Sequence, residues 1–125
     1  MIRDELYERG LRMRRSMFGP PGADDQIASA TEFTEKLQDI VTRYCYGDVW
    51  SRDGLGPRDR SLVTLAFLVA LGRPHELEFH LEGARANGVT TEEIRELLIQ
   101  ATLYCGLPAA VDGFRVAGRV LQNDT

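Results

Sequence analysis

The chain is poor in the residues most often used for redox and metal chemistry. It holds two cysteines, Cys45 and Cys105, and two histidines, His75 and His80, in 125 residues. No CxxC is present and no Cys/His spacing is of the zinc type. The two thiols therefore read as reduced, small buried hydrophobes of a cytosolic protein. No apolar run approaches the roughly 20 residues that a membrane helix needs. Residues 1–18 are charged throughout and lack the apolar centre of a secretion signal, so a cytoplasmic location without membrane contact is expected. The net charge of −4 and pI near 5.2 argue against a nucleic-acid partner. They do not exclude an anionic small molecule, because arginines can focus a positive field locally. Alternating strand patterns, repeats and low-complexity segments are also lacking.

What remains is a chain that is 43% hydrophobic and cut at intervals by Gly and Pro. One all-α domain over residues 1–125, of about six helices, is expected. A domain this small gains from association with copies of itself. A first helix is expected over 3–17, with Arg12, Arg14 and Arg15 as a solvated, dipole-compensating end. Gly19-Pro20-Pro21-Gly22 reads as a stiff turn. Ser29-Ala30-Thr31-Glu32 has the form of a capping box, so a second helix is expected from about residue 30. Phe33, Leu37, Ile40, Val41 and Tyr44 form its apolar stripe, and Gly47 is its stop. A third helix over 57–71 is apolar on nearly every side and reads as central. Gly72 breaks it, Pro74 opens the next, and Gly88 closes that one. Thr90-Thr91-Glu92-Glu93 is another capping box. Ile94, Leu97, Leu98 and Ala101 should face inward, as should Val111, Phe114, Ala117 and Leu121 of a last helix.

Polar groups on apolar faces mark candidate chemistry. His80 lies between Leu77 and Ala84 on the buried side of its helix, and Glu76 precedes it by one turn. The pair reads either as a satisfied core histidine with its salt-bridge partner or as an acid–base unit, in which the carboxylate orients the imidazole and raises its pKa. Arg60, in line with Thr64, Phe67 and Leu71, either snorkels to solvent or holds an anion. His75 follows Pro74 and can be plainly exposed. Tyr104 reads as a packed aromatic with a polar tip.

Five segments in order resemble the gamma-carboxymuconolactone decarboxylase family. Gly47-Asp48-Val49-Trp50-Ser51-Arg52-Asp53-Gly54-Leu55 is similar to its G-x-x-W-x-R-x-G-L. Arg60-Ser61-Leu62-Val63-Thr64-Leu65-Ala66 is similar to R-S-L-x-T-L-A, and His75-Glu76-Leu77 with His80 to H-E-L-x-x-H. Asn87-Gly88-Val89-Thr90 with Glu93-Ile94 resembles N-G-V-T-x-x-E-I, and Tyr104 through Ala110 resembles Y-C-G-x-P-A-A. The resemblance runs from about residue 29 to 121. It implies an alkylhydroperoxidase-like helical fold and a ring-shaped homo-oligomer, a hexamer or trimer. It also implies a lyase without metal or organic cofactor, converting 4-carboxymuconolactone to 4-oxoadipate enol-lactone in protocatechuate breakdown.

That chemistry assigns roles. His80 would protonate the intermediate, oriented by Glu76, and Arg60 would hold a spectator carboxylate. Tyr104 or Trp50 would stabilise an oxyanion, with His75 and Cys105 as further substrate-binding candidates. The peroxide-reducing branch of the superfamily places a CxxC where this chain has Arg73 and Glu76, so its disulfide chemistry is not expected. The rival functions are a decarboxylase or isomerase acting on another acid, a thiol peroxidase, and a non-catalytic oligomeric binding protein.

Overall fold

A computed structural model describes residues 2–122. Among the described residues there are seven α-helices, one π-helical segment and no strand. Contacts divide the chain into two compact units, one ending at Pro57 and the other starting at Arg58.

In the first unit, α1 spans Glu5–Gly22, and the Asp4 carboxylate accepts from the Tyr7 N–H at 3.0 Å to cap it. The expected turn at 19–22 is a kink inside this stretch: Gly19 has φ +66°, and Pro20 and Pro21 restart the helix. Short α2 (Asp24–Ala28) follows, then α3 (Glu35–Ile40), which continues as a π-helix over Val41–Val49. The expected helix start near residue 30 is thus displaced. Ser29 donates its hydroxyl to the Gln26 carbonyl at 3.2 Å, and Thr31 N–H bonds the Thr34 hydroxyl at 2.9 Å. Those groups close α2 and a turn, and do not form a capping box.

The expected apolar stripe fails for the same segment. Phe33, Leu37, Ile40 and Tyr44 are exposed, whereas Asp39, Thr42, Arg43, Tyr46 and Gly47 are buried. In a π-helix the bonds run five residues back, so a spacing argument at 3.6 residues per turn loses register there. Gly47 does not stop the helix. It admits the Leu6 carbonyl oxygen, which would lie 2.4 Å from a Cβ at that position. Arg14 is a second correction, being buried and not solvated. Its Nε donates to the Gly22 carbonyl and its Nη1 to the Thr42 hydroxyl, each at 3.0 Å. Arg12 and Arg15 do stay outside, paired with Glu5 and Asp24.

The second unit is α4 (Pro57–Leu71), α5 (Pro74–Ala86), α6 (Thr91–Tyr104) and α7 (Leu107–Leu121). Prolines 57, 74 and 108 stand in first turns, where the missing N–H costs nothing. The Thr90 capping box forms as expected, with Thr90 and Glu93 exchanging hydrogen bonds. One continuous apolar core joins Leu65 and Val69 of α4, Leu77 and Leu81 of α5, and Ile94 and Leu98 of α6, with Val116 and Ala117 of α7. Ala101 and half-buried Leu97 also belong to it. Two expectations change here. The inward face of α7 is Ala110, Gly113, Val116 and Ala117, whereas Val111 and Phe114 are exposed. The small residues let α6 approach: a Cβ on Gly113 would meet Leu98 Cδ2 at 2.6 Å. In α4, Val63, Phe67 and Leu71 also face solvent, so within this unit that helix has one buried side.

Candidate active site

The seven residues singled out from the sequence fall in four places. Arg60, Glu76 and His80 belong to the neighbouring helices α4 and α5. Asn87 Nδ2 donates to Ser61 Oγ at 3.0 Å, which sets the register of this pair, and the short Gly72-Arg73 link makes it antiparallel. From Asn87 back to His80 is roughly 10 Å along the axis at 1.5 Å per residue. Arg60 and His80 thus stand at different levels along the pair, and the described grooves are lined by other residues.

Both are half-buried. The Nε of Arg60 is buried and has no hydrogen-bond partner among the described residues. Its backbone carbonyl accepts from Thr64 Oγ1 at 2.8 Å. A buried guanidinium N–H without an acceptor is costly, and an incoming carboxylate would relieve that cost. His80 packs edge-on against Phe79, with ring centroids 5.7 Å apart. Burial lowers its pKa below the usual histidine value, and the Glu76 carboxylate opposes this without overcoming it. The sequence-based expectation of a raised pKa is therefore reversed: desolvation of the cation outweighs the attraction of an exposed carboxylate.

Tyr104 and Cys105 lie together elsewhere, on a groove of about 590 Å³ between α4 and α6. It is lined by Leu62, Val63, Ala66 and Leu97 together with Glu92, Glu93 and Glu96. Tyr104 is 83% exposed, so it is not the packed aromatic expected. Three carboxylates make this groove a poor receiver for a dianion. His75 is exposed, and lines a separate groove of about 480 Å³ with Glu78, Phe79 and Arg119. Trp50 is in the first unit, 6% exposed, packed with Met17 and with Tyr46 at 5.9 Å between ring centroids. That environment gives it a packing role within its own unit.

Both cysteines are free. Burial pushes the Cys45 thiol above its ordinary pKa, with Arg14 pulling weakly the other way, which is unsuited to an attacking thiolate. Sequence reasoning passed over Ser61 and Asn87, whose side chains join α4 to the end of α5. The match of Asn87 to a family motif was the available signal.

The family model for the carboxymuconolactone decarboxylase family matches residues 35–119. The chain belongs to this family. It is 38% identical to the 4-carboxymuconolactone decarboxylase of Acinetobacter baylyi over 120 residues, covering 96% of this chain and 90% of that protein. It is 34% identical over 118 residues to a nitrosuccinic acid decarboxylase of Metarhizium robertsii, covering 94% and 82%. It is also 32% identical over 123 residues to an uncharacterised 15.0 kDa protein of Paracoccus denitrificans, covering 96% and 90%. Both relatives with an activity in their names are decarboxylases.

Proposed function

We propose that this protein is a carboxy-lyase that converts 4-carboxymuconolactone to 4-oxoadipate enol-lactone without a cofactor. The similarity to a 4-carboxymuconolactone decarboxylase along almost the whole chain carries this reading. The chemistry needs no external electron sink. The bond to the leaving carboxylate breaks, CO2 departs, and the electron pair moves through the ring C=C to the lactone carbonyl oxygen. Protonation at the carbon beside that carbonyl gives the enol-lactone. The lactone thus does what a cofactor does elsewhere.

Arg60 takes the spectator carboxylate, supported by its buried, unpartnered Nε. His80 supplies the proton, positioned by Glu76. Burial lowers the imidazole pKa and so favours the neutral form at rest. The arriving dianion raises that pKa and so loads the acid when substrate is present. In Arg60→Ala, KM for the lactone, followed by ultraviolet absorbance, should rise ~10- to 100-fold, the range for losing a hydrogen bond to a charged group. An unchanged KM in the folded variant contradicts the role of Arg60.

The relative named for nitrosuccinic acid favours a second reading, the same site acting on another acid. A mass-spectrometric screen for loss of CO2 across small dicarboxylic acids separates the two. For the assembly we propose a homo-oligomer, a hexamer or trimer. Exposed Val63, Phe67 and Leu71 on α4 and Leu103, Leu107 and Phe114 on α6 and α7 support it, since such apolar exposure on a small domain marks an interaction surface. Light scattering coupled to size exclusion tests this, and a monomer at micromolar concentration contradicts it.

A further inference from the structure

The connection Asn87-Gly88-Val89-Thr90 takes no part in the chemistry above, yet Asn87 at its start and Glu93 in the first turn of α6 beyond it both hold α4. Asn87 Nδ2 donates to the buried Ser61 Oγ at 3.0 Å. Glu93 uses its two carboxylate oxygens separately. Oε1 accepts from the Thr90 N–H at 2.9 Å and completes the cap of α6, while Oε2 meets the Arg58 guanidinium. Gly88, with φ +91°, reverses the chain between these ties, and buried Val89 pins the connection to the core. The ties land on residues 58 and 61, on either side of Arg60. They grip the first turn of α4, where backbone N–H groups lack helical partners and the helix is most prone to fray. The Arg60 Nε has no hydrogen bond of its own to fix it, so its place depends on that turn.

We infer that Asn87 and Glu93 are positioning residues that hold the first turn of α4 and so present Arg60 to the substrate carboxylate. The inference rests on the carboxylate-binding role of Arg60 given above. A misplacement of about 1 Å at a binding group can cost up to ~100-fold, so modest loosening is measurable.

The test is a double-mutant cycle on the purified full-length protein with 4-carboxymuconolactone, reading KM, kcat and Tm. Asn87→Ala should raise KM about three- to tenfold with kcat changed less than about twofold. Asn87→Asp, whose carboxylate can accept from the Ser61 hydroxyl, should recover most of the loss. Glu93→Gln keeps an oxygen for the Thr90 N–H but removes the charge facing Arg58, and should raise KM by a smaller factor. In an Arg60→Ala background both substitutions should leave KM unmoved while still lowering Tm, because the group they position is gone. Equal KM increases with and without Arg60 would overturn the inference in favour of a general structural role. A KM that rises in Arg60→Ala but in neither Asn87→Ala nor Glu93→Gln overturns the inference alone. A KM unmoved by Arg60→Ala overturns both the inference and the reading beneath it. Should Asn87→Ala fail to fold, Glu93→Gln still decides the matter.

Discussion

Arg14 and Arg43 of the first unit are buried with acceptors in reach. Arg14 bonds the Gly22 carbonyl and the Thr42 hydroxyl, and Arg43 pairs with Asp39 and Asp4 beneath the Tyr7 ring. In the second unit the interior is aliphatic, and the arginine of interest sits half-buried at its edge with Nε unmatched. On the proposed reading, the contrast separates a structural cation from one kept for a ligand. A satisfied guanidinium stabilises a helix packing, whereas an unsatisfied one retains free energy for a ligand.

Five expectations follow, the largest first. Leu81→Ala, at a site 1% exposed in the continuous core of the second unit, should cost about 3 kcal/mol by urea denaturation. Less than about 1 kcal/mol would mean that this core is not the main source of stability. Arg14→Ala should cost about 2 kcal/mol, because Thr42 and Gly22 lose a charged donor inside the first unit. If it were neutral, the buried cation would be carrying no net structural load, and the contrast drawn above would fail. Thr90→Ala removes a side-chain cap and should cost about 1 kcal/mol while KM changes little, since Glu93 keeps its contact with Arg58.

The smallest effects concern pH. His80 has a folded pKa below its unfolded value, so the unfolded chain takes up the proton first. Stability from this group is complete above about pH 6.5 and declines as the pH falls through that value toward the folded pKa. The same shift bears on activity. The descending limb of kcat/KM, which reports free enzyme, should lie below about pH 6.5, and that of kcat should lie higher. Coincident limbs would contradict loading of the acid by the substrate.

Much of the second unit was legible because its boundaries are punctuated. Pro57, Gly72, Pro74, Gly88 and the Thr90–Glu93 box each fix a dihedral or a cap locally, and the helices begin and end there. The first unit defeated the same reasoning. The π-helix over Val41–Val49 changes the period around Tyr44, and no local residue type announces that change. Nor does a run of arginines reveal depth: Arg12, Arg14 and Arg15 look alike in sequence, and only the middle one is covered by Gly22 and Thr42. For the site, the helix-face argument put His80 and Glu76 on one stripe, but it could not weigh desolvation against the carboxylate, and so it gave the pKa shift the wrong sign. It also could not place Tyr104, whose exposure depends on which apolar faces find cover.

The most direct measurement is kcat/KM for 4-carboxymuconolactone in His80→Ala, with circular dichroism to confirm that the variant folds. Loss of a positioned general acid should lower the rate ~100- to 10,000-fold, with product still the enol-lactone. A folded His80→Ala that turns over the lactone at close to the wild-type rate would contradict the assignment.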